Sequence, residues 1–124
     1  MTEQFVELAH RRVTLCVARS GQGQPLLVLG GTGSDLRNRP NPLQWPIASE
    51  FDVLAYDHRG LGRSVADDPE YQPTMADFGA DALALCDQQG LDEFAVIGVS
   101  FGGMVAQELA LLAGPRVTKL VLCC

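Results

Sequence analysis

The sequence predicts an α/β fold, with a mostly parallel sheet, an antiparallel hairpin at its N-terminal end and helices on both faces. The first observation is a set of short apolar runs at residues 26–29, 52–56 and 94–98, typical of strands covered on both sides. The second is that segments with helical spacing alternate with the later strands, the order that builds a parallel sheet. The third is a pair of strand-like segments near the N-terminus, which a short turn joins into a hairpin.

The N-terminal half begins with these two strands, at residues 3–8 and 12–18, and the second alternates with the period of a half-buried strand. Residues 20–25 are rich in Gly, Gln and Pro, which predicts a loop. Residues 35–50 contain three prolines, so we expect any helix there to be short. Residues 60–73 are predicted to form a polar loop.

The C-terminal half starts with a helix whose first turn is signalled by Thr74 and Asp77. That spacing predicts a capping box, in which each residue satisfies a free N–H of the other. Gly90 is the expected stop of this helix. Residues 101–113 are predicted to form a second helix, and residues 117–124 a final strand.

Composition excludes several classes of protein. The 124 residues carry 9 Lys and Arg against 15 Asp and Glu, a formal net charge of −6, which disfavours binding to nucleic acid or to an anionic membrane. The first residues contain no apolar signal-peptide core, and we expect a cytoplasmic location. The four cysteines show no C-x-x-C spacing and there are only two histidines, so no metal site is expected.

The most informative motif is Gly-Val-Ser-Phe-Gly-Gly at residues 98–103, between a predicted strand and a predicted helix. This is the G-x-S-x-G nucleophile elbow in its required context, with Ser100 as the candidate catalytic nucleophile. The turn is so sharp that the serine backbone must be strained, and side chains at positions 98 and 102 would collide across it. The alternative is the glycine-rich turn of a dinucleotide-binding unit, but the segment that starts at Gly31 has Leu36 where the third glycine belongs.

A second glycine-rich segment, Gly-Gly-Thr-Gly-Ser at residues 30–34, directly follows the strand at 26–29. A serine nucleophile generates a tetrahedral oxyanion, which requires two N–H donors. We expect one donor to be the backbone N–H of Phe101 and the other the backbone N–H of Thr32, which together form the oxyanion hole. The alternative for this segment is an ordinary tight glycine turn.

Three segments, LVLGGTGSD, VLAYDHRGLGRS and VIGVSFGGMVAQELAL, together resemble the α/β-hydrolase fold superfamily. Within it they are similar to small bacterial esterases, lactonases and cofactor-free peroxidase-like members. The resemblance implies a serine hydrolase that cleaves a carboxylic ester, lactone or similar small-molecule acyl substrate without a cofactor. It also implies that residues 57–64, which match D-x-R-G-x-G-x-S, form a structural turn. His58 is then part of the scaffold and is not the catalytic base.

The catalytic base and acid are not found at their expected positions. In this fold they follow the serine in the order acid, then histidine, but after Ser100 the only carboxylate side chain is Glu108 and there is no histidine. We therefore expect residues 1–124 to be a partial α/β-hydrolase domain, without the C-terminal strands, the lid and the acid and histidine segment. This chain alone is expected to be inactive, because a serine without its base is a weak nucleophile.

Two alternatives remain open at this point. The chain could be a non-catalytic, truncated half-domain, which would pair with a partner chain or self-associate at the edge of the strand at residues 117–124. It could instead belong to a cofactor-free peroxidase or a carbon–carbon bond hydrolase, since such enzymes share the fold and the elbow.

Overall fold

The computed structural model describes residues 2–123, which form a single mixed sheet flanked by helices. The strands are β1 (Thr2–Leu8), β2 (Val13–Gly21), β3 (Gln24–Leu29), β4 (Phe51–Tyr56), β5 (Val65–Ala66), β6 (Phe94–Val99) and β7 (Val117–Cys123). The α-helices are α1 (Met75–Gln88) and α2 (Phe101–Ala113). Short 3₁₀ helices cover Ala9–Arg11, Pro42–Gln44, Pro46–Glu50 and Gly114–Arg116.

The sheet has the strand order β1-β2-β4-β3-β6-β7, and β5 pairs with β2 outside this path. β2 is antiparallel to β1, β4 and β5, whereas β3 is parallel to β4 and β6, and β6 is parallel to β7. This topology confirms the predicted α/β sheet with its antiparallel N-terminal hairpin. It also brings the carboxyl ends of β3, β4 and β6 together at one edge of the sheet, where the candidate site lies.

The two faces of the sheet are covered by different kinds of helix. Leu27, Leu29 and Leu54 belong to the main core, which α1 and α2 complete. Side chains that point the other way, such as Val28 and Val53, pack against the 3₁₀ segments. Helices therefore lie on both faces, but the prolines restrict those on the second face to short 3₁₀ turns, as expected.

Helix α1 begins with the predicted capping box. Thr74 Oγ1 accepts from the N–H of Asp77 at 3.2 Å, and the Asp77 carboxylate accepts from the N–H of Thr74 at 2.8 Å. α1 then packs closely on α2, because a Cβ on Gly79 would lie 2.8 Å from Cβ of Glu108. This close approach of the two helices requires glycine at position 79. It places α1 and α2 in direct contact behind the candidate site.

Two loop predictions were wrong in extent. Residues 20–25 are not a continuous loop, because β2 runs to Gly21 and β3 starts at Gln24. The chain reverses there with Gly21 at φ 104° and Gly23 at φ 109°, in the left-handed region that favours glycine. The predicted polar loop at residues 60–73 contains β5, two residues that pair with Val13 and Thr14 of β2.

Strand β7 closes the described part of the chain at the edge of the sheet. Leu120, Val121 and Leu122 are 39%, 49% and 47% exposed. The predicted strand extends to Cys124, which lies outside the described residues. No helix within residues 2–123 has the length and apolar character needed to cross a membrane.

Candidate active site

Ser100 lies in the sharp turn between β6 and α2, with its side chain exposed. Its backbone has φ 53° and ψ −116°, a conformation that non-glycine residues rarely adopt. Two hydrogen bonds fix this turn: the N–H of Ser100 donates to the carbonyl of Cys123 at 2.8 Å, and the N–H of Gly103 donates to the carbonyl of Ser100 at 2.8 Å. The strained backbone that the sequence predicts is therefore present, and the surrounding structure holds it.

The glycines on either side of Ser100 are required for two different reasons. A Cβ on Gly98 would lie 2.5 Å from the carbonyl oxygen of Gly102 and 2.7 Å from Cα of Gly103, so position 98 is closed by the turn itself. A Cβ on Gly102 would lie 2.0 Å from the carbonyl oxygen of Leu29. Position 98 is therefore closed by Gly102 across the turn, in line with the expected crowding between the two, and position 102 is closed in addition by the end of β3. The start of α2 therefore packs directly against the end of β3.

The glycine loop, residues 30–34, lies beside Ser100. A Cβ on Gly31 would be 3.5 Å from Cβ of Ser100 and 3.3 Å from the carbonyl oxygen of Val99. The loop turns back on itself through a hydrogen bond from the N–H of Ser34 to the carbonyl of Gly31 at 3.1 Å. A side chain at position 31 would thus be in van der Waals contact with the serine, which shows how closely the loop backbone lies beside it.

The three predicted site residues share one open depression of about 420 Å³. It is lined by Thr32, Ser100, Phe101, Gly103, Met104, Gln107, Leu122 and Cys123. Within residues 2–123, neither the backbone N–H of Thr32 nor that of Phe101 donates to another protein group. The positive end of the α2 dipole adds to these free donors, so this part of the surface favours negative charge.

Residues 57–64 form the structural turn that the D-x-R-G-x-G-x-S pattern implies. The buried carboxylate of Asp57 accepts from the N–H of Leu36 at 2.8 Å and from the N–H of Arg63 at 3.1 Å. The hydroxyl of Ser64 donates to the carbonyl of Asp57 at 2.6 Å. Gly62 leaves room for this carboxylate, because a Cβ there would lie 2.3 Å from it. Asp57 therefore connects the turn to Leu36, two residues beyond the glycine loop.

The arginine of the same pattern anchors the turn to helix α1. Arg59 makes two hydrogen bonds to Asp81, at 2.7 and 2.8 Å, and both side chains are nearly excluded from solvent. Arg11 in the hairpin turn joins the pair at 3.0 Å from Asp81. Hydrogen bonding to the carboxylate raises the pKa of Arg59. The charged side chain stabilises the turn and lies away from the depression around Ser100.

His58 is 1% exposed and is surrounded by aromatic rings. Its Nε2 lies 2.9 Å from the carbonyl oxygen of Gly30. The rings of Tyr56, Phe78 and Phe101 pack edge-to-face against the imidazole, with centroids 5.3 to 5.9 Å away. Burial lowers the pKa of His58, so the ring is neutral near pH 7. Sequence reasoning assigned His58 to the scaffold, and its burial agrees with that role.

Among residues 2–123, the side chains that line the depression around Ser100 include no His, Asp or Glu. His10 lies in the exposed turn between β1 and β2, and His58 does not line the depression. Glu108 belongs to α2 and packs against Gly79. In the same part of the chain, no three His, Cys, Asp or Glu side chains are grouped to hold a metal ion.

These features, a serine elbow at the carboxyl edge of a mostly parallel sheet and a glycine loop beside it, define a class of α/β protein. A family profile described as the alpha/beta hydrolase fold matches residues 24–124. The chain therefore belongs to the alpha/beta hydrolase fold family.

Three relatives illustrate the range of named activities. A protein of Caulobacter sp. (strain K31), named provisionally as carbamate hydrolase RutD, is 39% identical over 95 residues, which are 75% of this chain and 33% of that protein. A protein of Mycobacterium tuberculosis (strain ATCC 25618 / H37Rv), named provisionally as non-heme bromoperoxidase BpoC, is 29% identical over 111 residues, 89% of this chain and 41% of that protein. The solved structure of N-acyl homoserine lactonase AidH, complexed with N-butanoyl homoserine, is similar with a TM-score of 0.87 and 26% identity, over 98% of this chain and 44% of that one.

The chain thus spans between 33% and 44% of the length of these three relatives. The match includes the elbow and the glycine loop, residues that sequence reasoning had singled out. The contacts that His58 makes with Gly30 and Phe101 were missed, because they join segments that follow three different strands. The position of His58, two residues after the end of β4, does not by itself indicate these contacts.

Proposed function

We propose that the protein carrying these residues is a serine hydrolase that cleaves a carboxylic ester, lactone or similar acyl substrate through an acyl-enzyme at Ser100. The observation that supports this most directly is the depression in which Ser100 meets the free backbone N–H groups of Thr32 and Phe101. A nucleophile, two oxyanion donors and a helix N-terminus in one place are what acyl transfer requires.

In the proposed reaction, Oγ of Ser100 attacks the carbonyl carbon of the substrate while a base accepts the hydroxyl proton. The carbonyl oxygen becomes an oxyanion, which receives hydrogen bonds from the N–H groups of Thr32 and Phe101. Collapse of this intermediate breaks the bond to the leaving oxygen, which takes the proton from the base. Water, deprotonated by the same base, then attacks the acyl-enzyme; the bond between the acyl carbon and Oγ of Ser100 breaks, Oγ takes the proton back from the base, and the carboxylic acid is released.

The base and its acid partner are proposed to come from outside residues 2–123. Both histidines of the chain are placed elsewhere, His10 in the hairpin turn and His58 in the aromatic cluster. Family members provide the acid and the histidine after the nucleophile, in that order. The 124 residues alone are then expected to bind and react poorly, and the activity belongs to the native gene product.

The proposed substrates are small acyl compounds. Met104 and Leu122 give the depression an apolar wall, and Gln107 adds a polar side chain. The relatives named for a lactone and a carbamate substrate fit the same chemistry, since both contain a carbonyl carbon bonded to a leaving group. No cofactor takes part in the proposed steps.

The test compares hydrolysis of an aryl ester and of an acyl lactone by the native gene product and by two serine variants. Ser100→Ala is expected to lower kcat by several orders of magnitude, because removing the nucleophile of a serine hydrolase costs on the order of 10⁶. Ser49→Ala is the matched control: Ser49 is exposed, bonds only to the carbonyl of Pro46 and should leave kcat unchanged. Equal loss in both variants, or unchanged turnover in Ser100→Ala, would refute the proposal.

A second candidate is a cofactor-free peroxidase that uses the same serine, favoured by the similarity to the protein named as a non-heme bromoperoxidase. Bromination of an organic acceptor, measured with hydrogen peroxide and bromide, distinguishes the two. The hydrolase proposal expects ester cleavage without peroxide and bromination that is far slower. Bromination that exceeds hydrolysis would favour the peroxidase.

A further inference from the structure

We propose that His58 is a positioning residue, which holds the glycine loop and the start of α2 in register so that the N–H groups of Thr32 and Phe101 meet one oxyanion. This inference rests on the proposed function for its catalytic meaning. It goes beyond the structural-turn role, because it assigns His58 an effect on the geometry of the oxyanion hole.

The first contact joins His58 to the glycine loop. Nε2 lies 2.9 Å from the carbonyl oxygen of Gly30, the first residue of the loop and two positions before Thr32. A carbonyl can only accept, so Nε2 must carry the proton and donate. Nδ1 then carries only a lone pair, and it is buried without a hydrogen-bond partner among residues 2–123. The structure around the ring thus selects the neutral Nε2–H tautomer.

The second contact joins His58 to the nucleophile elbow. The imidazole and the ring of Phe101 meet edge-to-face at 5.3 Å and 90°. The Phe101 ring also meets Phe78 of α1 at 5.1 Å and 90°, and Phe78 in turn meets His58 at 5.9 Å. The side chain of Phe101 is therefore packed against two rings that also contact each other, and this packing fixes the residue that carries the proposed oxyanion donor.

The chain just beyond the glycine loop is held by Asp57, the residue before His58. Asp57 accepts from the N–H of Leu36 at 2.8 Å, while His58 donates to Gly30. Two consecutive residues after β4 therefore hold the chain at the first residue of the glycine loop and two residues beyond its last, while Thr32 and Gly33 between them are exposed. An oxyanion donor is effective only at about 2.7–3.1 Å, so a displacement of less than 1 Å at Thr32 is enough to impair it.

The experiment uses two variants of the native gene product and a matched control. His58→Leu removes the donor but keeps an apolar side chain in the aromatic cluster. His58→Gln keeps an N–H donor the same number of bonds from Cα. Tyr56→Phe is the control: it alters the same cluster by removing a buried hydroxyl that has no hydrogen-bond partner among residues 2–123.

The first readout is the kinetics of ester hydrolysis. His58→Leu is expected to lower kcat at least tenfold and to change KM less than threefold, because the donors act on the transition state. His58→Gln should return kcat to within about threefold of the unsubstituted protein, and Tyr56→Phe should not change it. Thermal unfolding, measured in parallel, identifies the temperature range in which all variants are folded. A kcat unchanged in His58→Leu within that range would overturn the inference.

The second readout is NMR spectroscopy, which does not depend on turnover. The His58 ring is expected to be neutral and protonated at Nε2 at pH 7, and the amide signals of Thr32 and Phe101 should shift in His58→Leu but not in Tyr56→Phe. If the protein hydrolyses no ester, the proposed function fails while these signals still decide the positioning role. An Nδ1–H tautomer, or amide signals of Thr32 and Phe101 that stay unchanged in His58→Leu, would contradict that role.

Discussion

The strained backbone of Ser100 leads to a prediction that can be worked out from the structure. With φ 53° and ψ −116°, Ser100 lies in a region that glycine adopts readily and that a residue with a Cβ adopts at a cost. The variants S100A and S100G both remove the hydroxyl. Only S100G removes the Cβ as well, so the difference in stability between the two isolates the backbone strain.

The expected magnitude follows from two opposing effects. Residues held in sparsely populated backbone conformations cost about 1–3 kcal/mol, which S100G should relieve. Glycine also gives the unfolded chain more freedom, which lowers stability by about 0.4–1 kcal/mol relative to alanine. Taking the middle of each range, S100G is expected to be more stable than S100A by about 1.3 kcal/mol, although both should lack hydrolase activity.

Equilibrium unfolding in urea measures this difference, as a shift of the midpoint with the same slope for both variants. A slope that differs between them would show a change in the unfolded state and not relief of strain. The interpretation of the elbow as strained is refuted if S100A equals or exceeds S100G in its free energy of unfolding.

Three further predictions concern the scaffold of the site. Gly98→Ala should destabilise the protein by about 2–3 kcal/mol in urea unfolding, because its Cβ would meet backbone atoms of the elbow at 2.5 and 2.7 Å. Asp81→Asn should cost about 3–5 kcal/mol by the same assay, since Arg59, whose side chain is 7% exposed, would lose its carboxylate. Hydrogen bonds to the carboxylate of Asp77, of which the one from the N–H of Thr74 has the largest effect, lower the pKa of Asp77 from 3.8 to about 2. Its carboxylate therefore contributes stability above about pH 4, which is lost as the pH falls towards 2, and Asp77→Asn should cost about 1–2 kcal/mol at pH 7 with a difference that shrinks in acid.

Each of these predictions has a control and a contrary outcome. Gly90 has φ 74° and open space around it, so Gly90→Ala should cost only about 1 kcal/mol, and an equal loss in Gly98→Ala would contradict the steric explanation. Asp87 pairs with Arg116 at the surface, so Asp87→Asn should change stability by less than about 0.5 kcal/mol. A similarly small effect in Asp81→Asn would remove the buried pair as an anchor. A pH-independent effect of Asp77→Asn would contradict the role of its ionised form.

Elements with a strong local signal could be predicted closely from the sequence. Helix α2 has the predicted bounds, because an elbow glycine motif precedes it and a Gly-Pro pair follows it. The start of α1 was predicted from its capping box alone. The short chain reversal at residues 22–23 was not predicted. Pairing with β4 extends β2 as far as Gly21, and this pairing cannot be inferred from the composition of the segment. β5 was missed for the same reason, because a two-residue strand is defined only by its partner.

The candidate site was predictable where one motif contains the chemistry, and less so where separate segments meet. Ser100 and Phe101 belong to one elbow, and the placement of Thr32 beside them follows from the order of strands in the sheet. The contacts of His58 with Gly30 and Phe101 could not be predicted. The sequence around a histidine in a turn does not indicate which carbonyl or which ring the side chain will contact.

The most direct test of the central claim is to find which residue a serine-reactive fluorophosphonate modifies. The native gene product is treated with the reagent, digested, and analysed by peptide mass spectrometry. The expected result is a single adduct on Ser100, absent from Ser100→Ala and retained in Ser49→Ala. An adduct at another residue, or ester hydrolysis by a protein that forms none at Ser100, would contradict the assignment of this serine as the nucleophile.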